Sequence, residues 1–257
     1  MKKRLLYVMA CFFIVISFVS CNKEKVDPQN PPPASNIIKD AVTDVDGNVY
    51  DAVKIGDQVW MAENLRTTKY ADGSSIEQGN TTSDEVAYWY YPDGKSSNKG
   101  TYGLLYNWKA AMHNASSSKA NPSGVQGICP MGWHVPSDAE WTQLTDYVNS
   151  QSQYQCNSRG NNIAKALAST TGWNSSSYTC AVGNTQRTNN ATGFSAVPAG
   201  LYTGFYNYFG NNAFFWSATE YNSSNAYGRY LNSDNAIVGR NDGDNRSDGS
   251  SIRCVRD

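Results

Sequence analysis

The sequence predicts an α+β domain in which two or three helices pack on short, mainly antiparallel sheets, with long irregular loops between them. Three observations carry that expectation. Ser137 and Glu140 stand at the S-x-x-E spacing of a capping box, and Trp141, Leu144 and Val148 follow at i, i+3 and i+7, the pattern of an amphipathic helix. Earlier in the chain, short runs rich in Val, Ile, Tyr and Trp are cut by Asp46-Gly47 and Gly56-Asp57, pairs that suit hairpin turns. After residue 150 the chain is rich in Gly, Asn and Ser, the composition of loops around strands.

The N-terminus reads as an export signal. Lys2-Lys3-Arg4 is a charged start, and Leu5 to Val19 is an apolar run of signal-peptide length, short for a membrane span. Ser20-Cys21 follows and resembles a bacterial lipoprotein processing site, so residues 1–20 are expected to be removed and Cys21 to carry the lipid anchor. Residues 21–38 contain Pro28 and Pro31-Pro32-Pro33 and read as a tether of some tens of Å, at roughly 3.1 Å per residue if extended. The expected folded domain covers residues 39–257. The expected location is therefore the cell envelope, as a surface-exposed outer-membrane lipoprotein.

The chain has 257 residues, 40% hydrophobic and 17% charged, enough to bury one sizeable core. Loss of Lys2, Lys3 and Arg4 takes the basic count from 21 to 18 against 22 acidic residues, a net charge of −4. That argues against nucleic acid as a partner.

The domain opens with a β-meander through Val42, Val45, Val49 and Tyr50, then Val53, Ile55, Val59 and Trp60. Asp44-x-Asp46-Gly47 lacks the later acids of a calcium loop and reads as a turn. Glu63 and Arg66 suggest a buried ion pair. Leu104, Trp108, Ala111 and Met112 recur at helical spacing, which predicts a helix from 103 to about 114. His113 and His134 stand apart from other ligand-type residues, so no metal site is expected. The run from Cys129 to Val148 is the keystone: Trp133 leads to Ser137 as N-cap, and Glu140 and Trp141 open the helix. Ile163 to Ala168 predicts a short third helix, Phe214 to Glu220 a core strand, and Ser251 to Arg256 a final strand.

Five ordered blocks carry a family resemblance: Gln58-Val59-Trp60-Met61-Ala62-Glu63-Asn64-Leu65, Gly103 to Trp108, Cys129-Pro130-Met131-Gly132-Trp133-His134-Val135-Pro136-Ser137, Phe215-Trp216-Ser217 and Arg253-Cys254-Val255. They resemble the Fibrobacter succinogenes major paralogous domain, over roughly residues 42–257. The resemblance implies a C-type-lectin-like fold on secreted or surface lipoproteins, without a settled activity. The helix start from Pro136 to Trp141 is similar to that of formylglycine-generating enzymes. The calcium-binding signatures of sugar-binding lectins are missing, as is the Gly-Asn-Val-Trp-Glu-Trp segment of the oxidases. Neither chemistry carries over, and no cofactor is expected. Calcium has only the Gly-rich acidic stretch of Asp242, Asp244 and Asp248, which reads as a solvated loop.

With Cys11 in the leader and Cys21 lipidated, Cys129, Cys156, Cys180 and Cys254 remain, an even set with three possible connectivities. The resemblance favours Cys129 with Cys254, because both lie in family blocks, and hence Cys156 with Cys180.

The function these features point to is a non-catalytic extracellular module binding glycan or a surface protein. The alternatives are an oxidase relative with a reactive thiol pair and a structural part of a surface assembly. Tyr202, Tyr206, Tyr208 and Tyr221 stand in Gly- and Asn-rich surroundings rather than apolar runs, so these rings, with Asn207 and Asn222, are the expected binding face.

Overall fold

A computed structural model describes residues 36–158 and 160–257. Cys21, the leader and nearly all of the tether lie outside the described residues. Thirteen strands and four helices make up the regular part of the described fold, which is mixed α+β.

The meander forms as expected. β1 (Ile37–Thr43), β2 (Val49–Ile55) and β3 (Gln58–Met61) run antiparallel, and β1 begins two residues before the expected domain start. Asp44 builds the first turn, accepting from Asp46 N at 3.0 Å, Asn48 N at 2.9 Å and the Tyr50 hydroxyl at 2.6 Å. β13 (Val255–Arg256) and β7 (Trp133–His134) complete this sheet in the order β1-β2-β3-β13-β7, with Val255 opposite both Trp60 and His134. The first and last strands of the described chain therefore share one sheet. Only Val255–Arg256 of the expected 251–256 strand is regular.

A second sheet, antiparallel, holds β10 (Asn212–Glu220), β11 (Asn225–Asn232) and β12 (Gly239–Asn245). β10 is buried at eight of its nine positions, as its Phe214-Phe215-Trp216 run requires. A small third sheet joins β4 (Glu77–Gln78), β5 (Tyr88–Tyr90) and β6 (Leu105–Tyr106), and β8 (Leu201–Tyr202) pairs with β9 (Tyr206–Asn207).

The helix α3 (Asp138–Ser150) is wedged between the two large sheets. Ser137 Oγ accepts from Glu140 N and Glu140 Oε2 from Ser137 N, the reciprocal pair of a capping box. Trp141, Leu144 and Val148 are buried, with the Trp141 ring 4.6 Å from that of Trp60 and its indole N–H donated to Trp216 O at 3.2 Å. The helix thus contacts strands of both sheets, β2 on one side and β10 and β11 on the other. α4 (Ala164–Leu167) is the short third helix.

The expected helix over 103–114 does not form as one element. α1 (Lys99–Tyr102) ends at Gly103, whose φ of 76° is left-handed and where a Cβ would sit 2.6 Å from Asn64 Cβ. The chain then extends through β6, and Asn107 restarts a helix, α2 (Trp108–Met112), by accepting from Ala110 N at 3.0 Å. Close backbone approach overrides the helical spacing of Leu104 and Trp108.

Cys129 is bonded to Cys254 and Cys156 to Cys180. The first bond ties the segment ahead of β7 to the residue ahead of β13, deep in the core, where both cysteines are 0% exposed.

Beside it Arg253 is fully buried. Its guanidinium donates to Asn64 Oδ1 at 2.7 Å, Met61 O at 3.1 Å, Ser195 O at 2.8 Å and Phe194 O, so neutral oxygens from two segments replace the water it gave up. Glu63 and Arg66 are not a buried pair: they stand 3.8 Å apart, partly exposed, and Arg66 spends its charge over the Tyr50 ring and on Val49 O.

Candidate functional site

The expected tyrosines fall into two groups. Tyr206, Asn207 and Tyr208 belong to the hairpin of β8 and β9, whereas Tyr221 and Asn222 follow the other end of β10. Nine strand residues separate the groups by about 27 Å. They do not make one face.

The hairpin is rigid for physical reasons that can be followed residue by residue. Tyr202 pairs with Tyr206 across it, and Gly204, at φ 88°, makes the turn. Asn207 Nδ2 bridges the turn, donating to Thr203 Oγ1 at 2.9 Å and Phe205 O at 3.1 Å. Two backbone bonds between Tyr202 and Gly249, at 2.8 and 3.0 Å, fasten it to the body. Tyr202 is buried, not exposed as its surroundings in sequence suggest, because its ring stacks on Tyr90 at 4.1 Å. It is the floor on which Tyr206 rests, at 5.0 Å. Gly94 lies against the Tyr206 ring, where a Cβ would come within 2.8 Å of a ring carbon.

Above that floor three rings meet solvent: Phe205 is 78% exposed, Tyr208 55% and Tyr206 42%. Phe205 was no part of the expected set, yet it is the most exposed of the three. Partial burial raises the pKa of Tyr206, and the nearby Tyr202 and Asp93 add to the shift, so its hydroxyl remains a proton donor at neutral pH. The site offers apolar ring faces with phenol hydroxyls, held by a backbone that does not need to rearrange. Asn207 serves the turn, and Asn222 likewise caps its own turn by accepting from Ser224 N and Asn225 N.

His134 is not isolated. It lies between two carboxylates, with Nε2 2.7 Å from Glu140 Oε1 and Nδ1 2.7 Å from Asp257 Oδ1. Burial works against its charge, but the hydrogen bonds and fields of Glu140 and Asp257 outweigh that and raise its pKa. Because the His134 and Glu140 side chains are each only 3% exposed, this is an internal charge lock on the keystone helix rather than a reactive group. Nothing in sequence spacing links His134 to Asp257, which is 123 residues away.

The acidic stretch near the C-terminus is also not a solvated loop. Asp242 and Asp244 lie in β12, and burial, helped by Asp248, pushes the Asp244 carboxyl up to about 7. Among the described residues no three His, Cys, Asp or Glu side chains converge as metal ligands would.

The family model of the Fibrobacter succinogenes major domain matches residues 53–256. The chain belongs to that family. Its match runs from β2 through β13, so it takes in the keystone helix, the core disulfide and the aromatic hairpin. No curated protein and no solved structure matches the chain.

A cleft of about 660 Å³ opens elsewhere, between His113, Val125 and Met131, the last 75% exposed. His113 stacks on Tyr70 at 3.6 Å there, and it and Asp72 are the lining residues with charge-bearing side chains. That wall is too sparse in convergent polar groups to compete with the hairpin.

Proposed function

We propose that this protein is a lipid-anchored cell-envelope module, non-catalytic and C-type-lectin-like, that holds glycan on the aromatic hairpin of β8 and β9. The observation that carries the reading is the Phe205 ring, 78% exposed on a backbone pinned by Asn207 and Gly249. An apolar ring held in water gains free energy when another apolar face covers it, and sugar rings present such faces of C–H groups. Tyr206 and Tyr208 beside it supply hydroxyls for the sugar's own hydroxyls. The fixed hairpin keeps the ordering cost of binding small.

The leader, Ser20-Cys21 and the Pro-containing tether support placement on the cell surface, where such a face would meet polysaccharide. The pairing of Cys129, Cys156, Cys180 and Cys254 leaves no thiol pair among the described residues, which weakens the oxidase alternative. The test is a glycan array probed with the full chain in detergent, with and without calcium. Retention of a defined set of glycans in both conditions supports the reading. No retained glycan, together with a stable protein crosslinked on intact cells, replaces it with protein binding.

A further inference from the structure

The other end of the β10-β11-β12 sheet carries a second arrangement of charge and aromatic surface, where α3 begins. Asp138, the first residue of α3, faces two arginines that are register partners on β11 and β12. Arg229 is buried and donates Nη1 to Asp138 Oδ1 at 2.6 Å and Nη2 to Thr142 Oγ1 at 2.9 Å. Arg240 grips the same carboxylate as a fork, Nε to Oδ1 at 3.0 Å and Nη2 to Oδ2 at 2.8 Å, while its guanidinium lies 3.9 Å over the Tyr227 ring. Arg229 is thus used up inside, and Arg240 is held still at the surface, 47% exposed.

A depression of about 210 Å³ opens there, lined by Lys119, Asp138, Ala139, Thr219, Tyr227 and Arg240. Lys119 is exposed and has no ion-pair or hydrogen-bond partner among the described residues. Lys119 and Arg240 line the depression beside Asp138, with Arg229 behind it, and Asp146 also reaches Arg229 with its field, so three cations meet two carboxylates and one positive charge is left over. Glu220, next in the chain to Thr219, directs its carboxylate to Arg246 at 3.7 Å. Tyr221, 51% exposed, meets the Tyr227 ring edge-on at 5.3 Å, so apolar faces border the cations.

We infer that this depression is a second saccharide site, separate from the hairpin and selective for a terminal sugar acid. Lys119 and Arg240 take the carboxylate, and the Tyr221–Tyr227 pair takes the ring. Asp138 sets the selectivity by fixing Arg240 in place, so an acidic ligand meets a pre-ordered cation pair and a neutral one gains little. The size of the depression suits one residue at a chain end rather than a continuous polymer.

The inference is tested by titrating the full chain in detergent with trigalacturonic acid, with galactotriose as the neutral counterpart and with acetate alone. The acid is expected to bind at least about tenfold more tightly than either, and to weaken as salt rises. Lys119→Met, which touches no packed group, is expected to weaken acid binding by about fivefold, the scale of one exposed ion pair. Met131→Ala, an exposed side chain in the cleft beside His113, is the control and is expected to leave it unchanged. No binding of the acid, equal binding of galactotriose or acetate, or an unchanged Lys119→Met overturns the inference.

Discussion

Removing the Cys129–Cys254 bond should damage this fold more than removing Cys156–Cys180, and the difference can be worked out. The bonds close loops with sequence separations of 125 and 24. In the chain-entropy relation these correspond to about 4.9 and 3.5 kcal/mol of denatured-state constraint. Packing widens the gap. Cys129 and Cys254 are wholly buried beside Trp133 and Ile252, so Cys→Ala at both leaves a small void among side chains that cannot all move in, whereas Cys156 is only half-buried. Against a total domain stability of about 5–15 kcal/mol, loss of the first bond leaves a marginal protein and loss of the second a weakened one. Urea unfolding of Cys129→Ala, Cys254→Ala and of Cys156→Ala, Cys180→Ala, both without reductant, reads the two costs. Equal midpoints, or a larger loss from the local pair, would refute the assignment of Cys129–Cys254 as the main tie between the ends of the domain.

Two further outcomes follow from single residues. The folded pKa of His134 is raised above its unfolded value near 6.5, so the stability it contributes is complete below about pH 6.5 and is lost as pH rises through the folded pKa. Asp244, raised to about 7, also loses stability as pH rises, but only up to about that pH. The alkaline part of a pH–stability curve should therefore flatten in His134→Gln, and an unchanged slope above pH 7 would remove the charge lock. At the other terminus, Cys21→Ser should release the protein from the membrane fraction or leave it with an uncut leader, read by fractionation and mass. Unchanged fractionation and mass would show that Cys21 carries no anchor.

Local signals in the sequence proved the readable ones. The capping box at Ser137 and Glu140, the turn at Asp44, and the buried run of β10 each follow from neighbours within a few residues, and each is where the spacing puts it. Distant partners account for most of what the sequence did not disclose. Gly103 breaks a helical pattern because Asn64 occupies the space a Cβ would need. Tyr202 differs from Tyr206 in role because Tyr90, on another sheet, stacks beneath it. Arg253 is legible as a family position but not as a fully buried cation, since its acceptors come from Met61, Asn64, Phe194 and Ser195. Around Tyr202 to Tyr208 the Gly- and Asn-rich sequence reads as loop and does not disclose the pinned hairpin it becomes. Phe205 stood unnoticed between Gly204 and Tyr206 because a phenylalanine is ordinarily assigned to the core.

The central claim is that the hairpin rings bind glycan, and its most direct measurement is calorimetric titration of a neutral glycan retained on the array. Wild type is compared with Tyr206→Ala, Tyr208→Ala and, as control from the separate cleft beside His113, with Met131→Ala. Two stacked rings at about 1 kcal/mol each should make the double variant bind roughly tenfold or more weakly, with its thermal midpoint retained and Met131→Ala at wild-type affinity. Full affinity in the double variant would place the site elsewhere, and loss of its fold would assign those rings to the core.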